Sequence, residues 1–99
     1  MQYRKRLPSL TGLLALEATV RLRSVTMAAK ELGVTQAAVS RQIAQLEEEF
    51  GRPLFYRGHR TIEPTPSCLA LGNALGESFA DMAQSVEAMR GDRAEVVTI

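Results

Sequence analysis

Tryptophan is absent from this chain and only five residues are aromatic, so any interior must be built from aliphatic side chains and alanine. The single cysteine, Cys68, cannot close an internal disulfide, which excludes a disulfide-stapled scaffold and fits a reducing compartment. The single histidine, His59, lacks companions at metal-ligand spacing, so a turn residue beside phosphate is a better reading of it than a metal or catalytic group. No apolar run approaches the roughly 18 residues of a membrane span, and the basic start has neither the apolar core nor the cleavage site of a signal peptide. These absences point to a cytoplasmic protein with no membrane partner. A Gly-rich phosphate loop, a nucleophile paired with a base and a carboxylate pair in a pocket pattern are missing too. The sequence therefore reads as a non-enzyme that needs no cofactor and no metal.

What is present suits one domain: 99 residues, 45% hydrophobic, enough for a modest core. The net charge of +1 conceals an asymmetry. Residues 1–60 hold ten Lys and Arg against five acids, whereas residues 61–99 hold two against six. A basic head on an acidic tail is expected of a nucleic-acid surface joined to a separate module.

Residues 24–51 organise the rest. Ser24 or Thr26 can cap a helix, Gly33 suits the left-handed residue that ends it, and Thr35 caps the next, which runs from Gln36 to about Phe50 before Gly51. In this second helix Val39, Ile43, Leu46 and Phe50 recur at steps of four, three and four, which assigns one face to a core. The opposite face carries Gln36, Ala37, Ser40, Arg41 and Ala44. Short or hydrogen-bonding side chains at the N-terminal half of a helix are what a B-DNA major groove admits, because Gln, Ser and Arg reach base edges while Ala lets the backbone approach. An ordinary amphipathic surface helix would share the periodicity. The joint spacing of Ala28, Ala29, Gly33 and Val39 is what adds the helix-turn-helix pattern.

The flanking segments follow. MQYRKR reads as a solvated basic arm, although Arg4, Lys5 and Arg6 could touch phosphates. Ser9 caps a scaffold helix with a Leu10, Leu13, Leu16 and Val20 stripe, ending near Arg21 to Arg23. Glu47, Glu48 and Glu49 read as a solvated run that must point away from DNA. Pro53 stops the helix, and two short strands, Leu54 to Arg57 and Thr61 to Glu63, are expected around a Gly58-His59 turn, anchored by Leu54 and Phe55. Arg57, His59 and Arg60 would give this wing a basic edge. Thr65 and Pro66 open a long helix through about Met89 or Arg90. Along it Leu75, Phe79, Met82, Val86 and Met89 alternate four and three, a heptad seam. About 25 residues make a rod of roughly 37 Å, too long to bury against so small a head, so it should pair with its own copy; one more core helix is the other reading. Gly72 and Gly76 weaken the seam's first turns but permit close backbone approach, and Cys68 reads as a small buried side chain. Glu95 to Ile99 looks like a strand without a partner, or else a frayed tail.

The fold class expected is mainly α: a winged helix-turn-helix of three helices and a β-hairpin, then a long linker helix. The stretches LPSL at 7–10, AAKELGVTQAAVSRQIAQLEEEFG at 28–51, PLFYR at 53–57 and the TP at 65–66 resemble the N-terminal DNA-binding region of LysR-type transcriptional regulators. The likeness is to the subgroup that includes the glycine-cleavage activator and beta-lactamase regulators, and covers roughly residues 7–90. It implies a head at 1–64, a dimerisation helix at 65–90 and, at 91–99, the start of an effector-binding domain that would take a small molecule. It further implies a homodimer or homotetramer on double-stranded DNA at a promoter inverted repeat. Gln36, Ala37, Ser40 and Arg41 match the family's groove-facing positions and Arg60 a wing arginine; Thr35, Lys30, Arg57 and His59 complete the expected DNA contacts. Ala37 stands where many members have Pro, Leu16 and Val25 replace aromatics, and residues 64–68 lack the usual Ala-Gly pair. A protein-interaction module that uses the same shape without reading DNA is the rival from another class.

Overall fold

Each helix longer than a single turn begins at a hydroxyl side chain. In the computed structural model, which describes residues 2–58 and 61–91, the order is α1 (Tyr3–Arg6), α2 (Leu10–Leu22), α3 (Val25–Leu32), α4 (Gln36–Phe50), β1 (Phe55–Arg57), β2 (Ile62–Pro64) and α5 (Pro66–Gly91). Ser9 Oγ accepts from the Gly12 N–H at 3.1 Å, Ser24 Oγ from Met27 at 3.0 Å, Thr35 Oγ1 from Ala38 at 3.0 Å and Thr65 Oγ1 from Cys68 at 3.3 Å. Each satisfies one of the donors that a helix start leaves without an internal partner. Ser24, and not Thr26, caps α3. Ser24→Ala is therefore expected to cost about 1 kcal/mol of stability, read from the midpoint of urea unfolding; no change would mean that water replaces the cap.

The ends are equally local. Gly33 and Gly51 close α3 and α4 at φ +70°, where a side chain would be strained. Arg23 closes α2 in the same left-handed region, at φ 54°, although it is not glycine. Its side chain offsets the strain: Nε donates to the Val20 carbonyl at 2.9 Å and Nη1 to Glu63 of β2 at 2.7 Å.

α2 lies at the centre and packs against α3, α4 and α5. Leu16, Val39, Thr19 and Cys68 are the largest fully buried side chains, joined by Ala28 and Ala29 from α3, Ile43 and Leu46 from α4, and Leu54 and Phe55 from the wing. Thr19 is polar and buried, and its hydroxyl donates to the Ala15 carbonyl at 2.7 Å. The wing is a two-stranded antiparallel hairpin pairing Phe55 with Pro64, Tyr56 with Glu63 and Arg57 with Ile62. The Thr65 N–H donates to the Leu54 carbonyl at 2.9 Å, which fastens the start of α5 to the base of the wing.

Several sequence expectations are corrected. Residues 3–6 of the basic arm form one helical turn. Leu10 is 53% exposed and Phe50 37%, so the apolar stripes of α2 and α4 are each a residue too long at one end. The first strand begins one residue later than expected and ends at Arg57 as expected, while the second is shifted by one residue at both ends. The expected strand at residues 95–99 and the expected wing contacts His59 and Arg60 lie outside the described residues.

Candidate nucleic-acid interface

Burial of Val39, Ile43 and Leu46 against α2 and α3 fixes which way α4 turns, and Gln36, Ala37, Ser40, Arg41 and Ala44 are all left exposed. No acidic residue stands in its first turn. The positive end of the helix dipole is thus uncompensated just where the short polar side chains are grouped. Arg41 and, on α3, Lys30 are exposed and have no carboxylate partner among the described residues.

Other arginines are committed elsewhere. Arg21 Nε donates to Glu17 at 2.9 Å and Nη1 to Glu31 at 3.0 Å, and a further short bond joins Nη2 to Glu31. The hydrogen bonds that Arg21 donates to Glu31 and then Glu17 raise the guanidinium's proton affinity, and the contact with Arg21 holds the Glu31 carboxyl below the usual range. This triad ties α2 to α3. Arg57, expected in the basic edge of the wing, donates through Nη2 to Glu47 Oε1 at 3.3 Å while its side chain stays 67% exposed.

Glu47 is the residue that sequence reasoning missed. It was placed in a solvated run with Glu48 and Glu49, yet its side chain is only 20% exposed and its Oε2 accepts from the Leu54 N–H at 2.8 Å. A signal existed: Pro53 has no N–H, so the Leu54 donor is the first after the Gly51 turn that needs an acceptor, and a carboxylate one turn back in α4 is in reach. Glu48 and Glu49 are exposed.

On α5, Leu75 and Phe79 of the expected seam are half-buried, and Leu75 packs against the head's own core. Met82, Val86 and Met89 are 51%, 46% and 77% exposed, and every residue from 80 to 91 is exposed. The rod leaves the head after about its first half.

Among the described residues no group of three His, Cys, Asp or Glu could hold a metal ion, and no helix is long and apolar enough to cross a membrane. Cys68 is fully buried, and burial, reinforced by the Glu47 carboxylate and opposed by Arg23, pushes its thiol up to about 11. Maleimide at pH 7 is therefore expected to label Cys68 only once denaturant opens the head; rapid labelling of the native chain would contradict its burial.

Residues 10–69 match the sequence profile of the bacterial regulatory helix-turn-helix protein, lysR family. The chain belongs to the LysR family. This LysR-family head is 43% identical over 90 residues to the HTH-type transcriptional regulator TrpI of Pseudomonas aeruginosa, which covers 91% of this chain and 28% of that protein. It is 51% identical over 77 residues to the HTH-type transcriptional activator AmpR of Providencia stuartii, covering 78% of this chain and 26% of that one. The chain thus spans little more than a quarter of the length of these curated relatives. Among solved structures it resembles the protein in a BenM_DBD/catB site 1 DNA complex, with a TM-score of 0.76, 32% identity, and 86% of this chain and 94% of that one covered. A CbnR_DBD-DNA complex gives a TM-score of 0.69 at 27% identity over 93% of this chain and 100% of that one. The winged helix-turn-helix with a long C-terminal helix is therefore this family's fold.

Proposed function

We propose that this chain is the DNA-reading part of a transcriptional regulator that binds double-stranded DNA sequence-specifically. The observation that carries the reading is the outward face of α4: Gln36, Ala37, Ser40 and Arg41 are exposed together at an N-terminal end that holds no acid. Gln36, Ser40 and Arg41 read base edges in the major groove and Ala37 permits close approach. Thr35, Lys30, Arg57, His59 and Arg60 set the register on phosphates. Relatives solved on DNA support this, as does their kinship in sequence.

On this reading residues 1–64 are the head, 65–90 the linker that pairs with a second copy through Leu75, Phe79, Met82, Val86 and Met89, and 91–99 the entry to an effector domain. The exposed half of α5 supports the pairing, because Met82, Val86 and Met89 have no cover among the described residues. The regulator works in the cytoplasm as a dimer or tetramer at an inverted repeat, with its small-molecule effector held outside these residues, and performs no catalytic step.

The test is selection of duplexes from a random library, followed by gel-shift titration at two salt concentrations. A selected site bound at least a thousandfold tighter than random duplex, with affinity falling steeply as salt rises, is the expected result. Uniform weak affinity, about 10⁻⁴ to 10⁻⁶ M for every duplex, would remove the reading.

A further inference from the structure

Four donors converge on Glu47, in the last turn of α4. Its backbone carbonyl accepts from the N–H groups of Gly51 at 2.9 Å and Arg52 at 3.2 Å. Its carboxylate accepts from the Leu54 N–H at 2.8 Å and from Arg57 Nη2 at 3.3 Å. One residue therefore holds the turn that leaves α4, the base of the wing and the wing's first strand. The second strand is held from the other side, by the Glu63 pair with Arg23 at 2.7 Å. A carboxylate at a helix C-terminus opposes the dipole, so intrinsic helix energetics do not explain an acid here. The contacts to the wing do.

We propose that Glu47 is a positioning residue for DNA binding, holding the Arg57 guanidinium in one orientation relative to the outward face of α4 so that wing and helix engage one duplex together. This rests on the DNA reading above. Only Nη2 of Arg57 is taken by Glu47, and the side chain is 67% exposed, so the rest of the guanidinium's donor fork is left to face a phosphate. An arginine ordered before binding loses less rotamer freedom on binding, which is how a negative charge near DNA can strengthen the complex.

Simple electrostatics makes the opposite forecast, which gives the experiment its sign. Glu47→Gln removes a negative charge and keeps an oxygen for the Leu54 N–H, so charge repulsion alone predicts tighter binding. The probe is a duplex selected by the wild-type chain from a random library. Positioning predicts that Glu47→Gln binds it roughly three- to tenfold more weakly, with a salt slope lower by about one phosphate contact. Hydroxyl-radical protection flanking the contacted bases is lost while the base preference stays. In an Arg57→Ala background, Glu47→Gln changes affinity less than twofold, because the orienting contact is already gone. A merely structural role would weaken binding equally in both backgrounds. Should Glu47→Gln lose cooperative unfolding, Glu47→Asp, which keeps the charge and shortens the reach, carries the same comparison. Equal or tighter binding with unchanged flank protection overturns the Glu47 role alone. A wild-type chain that selects no duplex overturns the DNA reading, and this role with it.

Discussion

Gly72→Leu is expected to lower the stability of the head by about 2 to 3 kcal/mol, although it replaces a poor helix former with a good one. Propensity alone would reward the change by roughly 1 kcal/mol. Packing reverses the sign, because a Cβ at position 72 would lie 2.8 Å from Val20 Cγ1 and 3.0 Å from both Val20 Cβ and Cγ2. Val20 is 4% exposed and branched at Cβ, so it cannot swing aside as the end of a lysine would. Either α5 is pushed off α2 or Val20 leaves its rotamer. Gly76 provides the internal control, since its nearest neighbour would be Glu17 Oε2 at 3.6 Å, an ordinary contact. Gly76→Ala should stabilise by about 0.5 to 1 kcal/mol. Urea unfolding of the two variants decides it: a neutral or stabilising Gly72→Leu would mean that the two helices do not approach as closely as described.

The second large effect concerns recognition. Arg41→Ala is expected to cost about 1 to 3 kcal/mol on the selected site and little on random duplex, so that discrimination shrinks by most of that amount. The reason is that Arg41 is exposed on the same face as Gln36 and Ser40 and has no carboxylate partner among the described residues, so its removal leaves the fold intact. Arg90 serves as the contrast, paired with Glu87 at 3.3 Å near the far end of α5. Arg90→Ala should leave the discrimination untouched. Parallel gel shifts on selected and random duplexes measure both, and an Arg41→Ala chain with full preference for the selected site would remove Arg41 from the reading set.

The head was legible from sequence wherever the cause is local. Ser9, Thr35 and Thr65 cap as expected because the cap bond spans three residues, and Val39, Ile43 and Leu46 share a face because the helix repeat alone puts them there. The exposed face of α4 follows as its complement. Periodicity says which face is apolar but not where the packing partner ends, which is why Leu10 and Phe50 were assigned to the interior and are exposed. For the same reason periodicity does not show that Leu75, besides its place in the expected seam, also leans on the head's own core. The ion pairs Arg57 with Glu47 and Arg23 with Glu63 join residues ten and forty positions apart, and no local rule selects one carboxylate for a given arginine at such separations. Glu47 was misplaced on that account. Its neighbours in the acidic run are solvated, and only the return of the chain at Leu54 makes it different.

The bond between the Thr65 N–H and the Leu54 carbonyl sits at the foot of a helix of 26 residues. The helix's first half is held against α2, so the free lever is the exposed stretch from 80 to 91, roughly 18 Å long at about 1.5 Å per residue. A tilt of about 5° where that stretch leaves the head sweeps the far end through roughly 1.6 Å. Angular play at the point of departure is thereby magnified into displacement at the tip.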